Sequence, residues 1–283
     1  MLALLGGVGA ALAFATTTLC ASRSTRMIGP FSVLAWTMLV GFCIVVPWAA
    51  LEGMPAGFDG ADVGWLVAAG LGNAGGLLLT YAALRVGKVG IIAPIVSTEG
   101  AAAATISILA GERIAKGSGF ALGVIAFGIV LAAAARETTA DTARADSRSV
   151  SLLAISAAIC FGVSIYATGR ASGDLPVGWA IAPPRLAGVV FVAVPLLLSS
   201  RLRLTRQALP LVAIGGVAEV VGFASFALGS RHGIAVSAVL ASQFAAIAAV
   251  AAYFLFHERL TRVQLGGVVL IIAGVAALIV LQP

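Results

Sequence analysis

Four polar side chains stand deep inside apolar runs: Asn73, Glu99, Glu219 and Gln243. Glu99 lies in PIVSTEGAAAAT, residues 94–105, behind Ser97 and Thr98 and ahead of Gly100 and four alanines. Those small residues leave room beside the carboxyl for a second helix, or for water. A carboxyl placed this way can take a proton from one side of a barrier and release it to the other, or be neutralised by a bound cation. The plainer role is a protonated group that hydrogen-bonds a neighbouring helix. Glu219 lies in VAIGGVAEVVGFASF, with Gly222 and Phe226 at i+3 and i+7 on the same side of a helix. That face suits a cationic group of a small molecule, with Phe226 beside it; the alternative is a buried carboxyl satisfied by another helix. Arg185, after Pro183 and Pro184, is the candidate for an anionic group, unless its stem snorkels to an interface. Tyr81 and Tyr166 supply aromatic walls or interfacial anchors.

The setting of these residues follows from composition. The chain has 283 residues, of which 61% are hydrophobic and 10% charged, and its mean hydropathy is +1.11. A soluble domain carries roughly 25% charged residues, so this much apolar surface belongs in a membrane. The runs are long and continuous rather than short and alternating, which fits helices of about 20 residues and excludes a barrel. At mid-bilayer a charge costs about 2.5–3.5 kcal/mol on insertion scales, so ionisable groups there face a cavity or a partner. The 34 glycines fall within the runs, where small residues let membrane helices approach closely. The net charge of +6 comes from basic residues scattered in short loops, which argues for lipid around the chain and against nucleic acid. Cys20, Cys43 and Cys160 lie in separate runs without metal-ligand spacing. There is no phosphate loop, HExxH, GxSxG or cluster of His and Cys, so neither a cofactor nor an enzyme is expected. His232 and His257 fall at span ends.

Charges, prolines and polar clusters divide the chain into ten spans, at 2–21, 30–51, 63–84, 89–110, 118–135, 150–169, 177–200, 208–229, 234–256 and 263–281. The first of these reads as a membrane helix rather than a signal peptide, since it lacks a basic leader and has full spanning length. The longest polar connection, RETTADTARADSRS at 136–149, falls near the midpoint and separates halves at 1–135 and 150–283. The halves resemble each other in order. Thr80-Tyr81-Ala82 matches Ser225-Phe226-Ala227, Ser97 matches Ser242, Glu112-Arg113 matches Glu258-Arg259, and Gly128 matches Gly274. Asn73 and Glu219 fall within one residue of each other in the same alignment. An odd number of spans per half makes the second copy enter the membrane from the opposite side, the inverted-repeat architecture of alternating access.

A half with Tyr/Phe-Ala late in its third span, a serine-bearing fourth span, then Gly-Glu-Arg and a glycine-rich fifth span resembles the EamA-type repeat of the drug/metabolite transporter superfamily. The second copy, HERLTRVQLGGVVLIIAGV, carries the resemblance most closely. It implies an all-α polytopic membrane protein of ten transmembrane helices, arranged as two inverted five-helix repeats. It implies further a secondary transporter, exporting a small amphipathic metabolite such as an amino acid or a cationic drug, with protons as a coupling partner. The third, fourth, eighth and ninth spans would line its cavity. A bacterial inner-membrane location and a homodimer belong to the same expectation. The rival reading is an uncoupled channel or facilitator whose polar residues only wet a pore.

Charge bias and resemblance disagree on orientation. The odd-numbered connections hold most of the arginines, which places them in the cytoplasm and both termini outside; the resemblance implies cytoplasmic termini. Outside the deep polar set, packing roles are expected. Glu112-Arg113 and Glu258-Arg259 set helix ends, and Thr261 with Gln264 has capping-box spacing. Gly119 with Gly123, and the series Gly266, Gly267 and Gly274, suit close helix packing within the chain or across a dimer, as does the ninth-span stripe Ala235, Ala238, Ser242, Ala245 and Ala249.

Overall fold

The computed structural model describes residues 1–55, 58–86, 95–113, 117–133, 147–244, 246–248, 251, 262–263, 266–267, 269–270, 273–274 and 277. Among them the chain is helical, without strands. The helices are α1 (Leu2–Ile28), α2 (Pro30–Glu52), α3 (Gly60–Val86), α4 (Glu99–Leu109), α5 (Ser118–Ala133), α6 (Ser147–Asp174), α7 (Val177–Leu198), α8 (Leu209–Ser230) and α9 (Ile234–Ala241). Six of them, α1, α2, α3, α6, α7 and α8, contain stretches long and apolar enough to cross a membrane. Their outward faces carry large apolar side chains such as Leu5, Leu12, Leu152, Ile159, Phe191 and Leu228, all exposed. The expected tenth span, 263–281, lies mostly outside the described residues, as do His257, Glu258, Thr261 and Gln264.

Local sequence explains where helices stop and bend. Gly29 joins α1 to α2 as a single residue at φ 82, a conformation glycine reaches without a Cβ penalty. Pro30 then opens α2, where its missing N–H leaves no bond unmade. In α7, Pro183 and Pro184 remove two backbone donors from the helix, and the turn that follows, Val189–Ala193, widens to a π-helix. The fourth span is not one uninterrupted helix. A turn at Ser97 and Thr98 precedes α4, and the Thr98 hydroxyl bonds the Ile95 carbonyl at 2.7 Å, competing with the helical ladder. The ninth span turns at Ser242 and Gln243, where the Ser242 hydroxyl bonds the Val239 carbonyl at 3.0 Å.

Small residues set the packing. Gly6 of α1 lies on the backbone of Gly229 in α8, Gly222 of α8 receives Phe14, and the Thr17 hydroxyl bonds the Gly215 carbonyl at 3.0 Å. The two helices therefore run antiparallel. α3 and α6 repeat the arrangement: Gly72 lies on the backbone of Cys160 and Ser164, Gly76 receives Phe161, and the Ser164 hydroxyl bonds the Ala69 carbonyl at 2.7 Å. Such contacts let backbones meet where lipid supplies no hydrophobic drive between helices. α1 also packs on α9, as α6 packs on α4, while α2 lies on α7 and α4 on α9. Gly274 of the last span sits against Ile125 of α5, whereas Gly123 has no described residue where a Cβ would stand.

Candidate functional site

The two interrupted spans meet each other. Gly100, at the start of α4, is pressed against the Ala238 carbonyl of α9 and the hydroxyl of Ser242 just after it, with no room for a side chain. Glu99 therefore sits at the first turn of α4 beside the crossing, half-buried, and its backbone carbonyl faces Gly162 of α6. Among the described residues no cation pairs with its carboxyl. Ser97 and Ser242 are buried at 1% and 2% exposure, so the polar turns themselves occupy the interior. Gln243 is buried with its Nε2 lacking a hydrogen-bond partner among the described residues, and Asn73 on α3 is buried with its Nδ2 in the same condition. A buried amide donor left unpaired is costly, and such groups in a native fold call for an explanation.

Arg185 and Glu219, two candidates for opposite ligand charges, face each other. Arg185 is fully buried, with its Nη1 3.4 Å from Glu219 Oε1 and its Nη2 donating to the Glu219 carbonyl at 3.2 Å. The guanidinium lies over the Phe223 ring, 4.4 Å from its centroid, and Gly41 of α2 makes space for its stem. Its Nε has no hydrogen-bond partner among the described residues. The Pro183-Pro184 step and the π-turn after it flank this residue, so an irregular piece of helix holds the most deeply buried charge among the described residues.

The face of α8 that carries Gly222 and Phe226 is packed. Phe226 is 2% exposed and joins Ala10, Ala103, Ile165, Tyr166 and Ala238 in one apolar cluster, while Gly222 lies under Phe14. Tyr166 is buried too, edge-on to Trp65 with centroids 5.7 Å apart. Tyr81 lies on α3, its side chain outside the described residues.

Two carboxylates that the sequence marks only as helix-end or loop groups reach across the bundle. Glu112 accepts from the Ala235 backbone N–H at 3.1 Å, at the start of α9, and from the Ser107 hydroxyl. Glu52 accepts from the Gly178 backbone N–H at 3.0 Å, at the start of α7. Each places negative charge on a helix start, where free N–H groups and the helix dipole favour it. Gly233, at φ 149, shapes the turn that brings the α9 start towards Glu112. A Gly-Glu pair after an apolar run announces a helix end; it does not say whose N–H the carboxylate will find.

The model of the EamA-like transporter family matches the chain twice, over residues 1–134 and 148–280. A solved crystal structure superposes on it with a TM-score of 0.82 at 19% identity, covering 99% of this chain and 97% of the other. That likeness is one of fold. No curated protein matches the chain in sequence.

Proposed function

The chain belongs to the EamA-like transporter family and is an integral multi-pass membrane protein, and from that premise we propose a secondary active transporter that exports a small amphipathic metabolite. An amino acid or a cationic drug is the substrate class, protons are the coupling ion, and the two halves at 1–135 and 150–283 are inverted copies of each other. The observation that carries the reading is the crossing at Gly100 and Ser242, where the start of α4, just after its own turn, meets the turn at the matching place of the other half, beside Glu99 and Gln243. Interrupted helices at a repeat interface are how transporters of this architecture expose backbone and polar groups to a substrate. The paired interfaces, α1 on α8 with α9 and α6 on α3 with α4, support the same exchange of halves.

In this mechanism Glu99 carries the proton. It stands at the crossing without a cationic partner among the described residues, so its charge is free to follow access to either side. Gln243 and Asn73 offer their unpaired amide donors to the substrate. Arg185 and Glu219 neutralise each other in the resting arrangement, and a charged substrate group engages one of them by displacing the other.

The test uses proteoliposomes with a trapped pH dye and an imposed pH difference, challenged with a panel of amino acids and lipophilic cations. A substrate collapses the gradient and accumulates uphill. Glu99→Gln is expected to insert normally and exchange that substrate down its gradient while losing pH-driven accumulation. Full pH-driven accumulation in the variant would remove Glu99 from the coupling role. Equilibration by the wild type with no proton movement would favour an uncoupled facilitator.

A further inference from the structure

Three arginines from distant parts of the sequence come together at the end of the bundle where the chain begins. Arg113 follows α4, Arg170 lies near the end of α6, and Arg231 stands between α8 and α9; all three line one cavity of about 400 Å³. This end is the one poor in basic residues, so the convergence is not the usual enrichment of one membrane face in positive charge. Arg113, Arg170 and Arg231 are all of its described basic side chains, and each lines the cavity.

We propose that this cavity binds an oxyanion, a carboxylate or phosphate group carried by a small solute or by an acidic lipid headgroup. Acidic side chains at the same end do not answer the arginines. Glu52 is bonded to the Gly178 N–H, Asp59 and Asp62 to N–H groups of their own loop, and Glu112 to Ala235 and Ser107. Asp174 is exposed and lies outside the lining. Among the described residues no ion pair joins any of these acids to an arginine. Glu112 is the only described carboxylate in the lining, and its oxygens are already engaged.

Two of the three guanidiniums are held rather than loose, while Arg113 is exposed. Arg231 donates from Nε to the Ser172 carbonyl at 2.6 Å and from Nη2 to the Leu175 carbonyl at 2.9 Å, and its other N–H groups have no hydrogen-bond partner among the described residues. Arg170 lies over Trp65, 5.6 Å from the ring centroid. His232 and Tyr166 complete the polar wall. Planar guanidiniums lining one cavity, two of them anchored, suit the paired oxygens of a carboxylate or phosphate. The assignment stands apart from the transport reading, because occupancy of the cavity needs no turnover.

Full-length protein in phosphatidylcholine nanodiscs is treated with phenylglyoxal, which modifies arginines, and each site is read by peptide mass spectrometry. Arg201, Arg203 and Arg206, exposed at the opposite end, serve as controls. Inorganic phosphate is expected to slow modification of Arg113 and Arg170 saturably while the three control arginines are unaffected. Where the occupant is a headgroup, discs containing phosphatidylglycerol protect the same arginines without phosphate. Either pattern supports the site and identifies its source. Arg170→Gln should raise the phosphate concentration that half-protects Arg113 about tenfold, as loss of a charge-assisted hydrogen bond implies. Protection of Arg113 and Arg170 no greater than that of the control arginines in both arms, or an unchanged half-protecting concentration in the variant, would overturn the proposal.

Discussion

At the scale of single residues, Arg185 has exchanged water for an ion pair, an aromatic face and a gap left by a glycine. The gain from such a pair barely exceeds the cost of drying both charges, whereas an orphaned partner is expensive. Arg185→Met or Glu219→Leu alone should therefore lower stability by about 3–5 kcal/mol, and the double variant should recover most of it. Thermal unfolding in detergent measures this; single variants that melt like the wild type would mean the charges do not depend on each other. The sequence identifies both residues, since an ionisable group in an apolar run is conspicuous. It does not pair them, because they stand 34 positions apart on two different helices and their meeting depends on how α7 and α8 pack. Phe226 shows the same limit. Its place on the same helical face as Glu219 is legible, but the residues that bury it come from α1, α4, α6 and α9.

At the scale of elements, the helices themselves are written plainly in the apolar runs, while their interruptions are not. Hydropathy continues through Ser97-Thr98 and Ser242-Gln243, and the turns arise from hydroxyls that take carbonyls three residues back. Helix contacts are likewise only half legible. Glycine abundance announces close packing, but which glycines are pressed is decided by the neighbour. Gly72 meets the backbone of α6, and Gly123 meets nothing among the described residues. Gly72→Leu should force α3 away from α6 and cost at least about 1–3 kcal/mol, while Gly123→Leu should leave the monomer's melting temperature unchanged. If Gly123→Leu alters only the sedimentation of the protein in detergent, that glycine packs between copies of the chain.

At the scale of the whole molecule, the order of the weak matches between halves is visible in sequence, whereas the exchange of helix partners is not. α1 chooses α8, and α6 chooses α3, through glycine and aromatic contacts that pattern alone does not assign. The carboxylates of Glu52 and Glu112 add a further consequence. Each is a latch thrown from the first half onto a helix start in the second, so the halves cannot separate at this end without unhooking both. The amides of Gly178 and Ala235 then become a stopwatch for that motion. Hydrogen exchange at high pH, where the chemical step is fast, should proceed at one common rate for the two, set by how often the end swings apart. Glu112→Ala should shorten the interval at both amides together; a change at Ala235 alone would show the latches to be released separately.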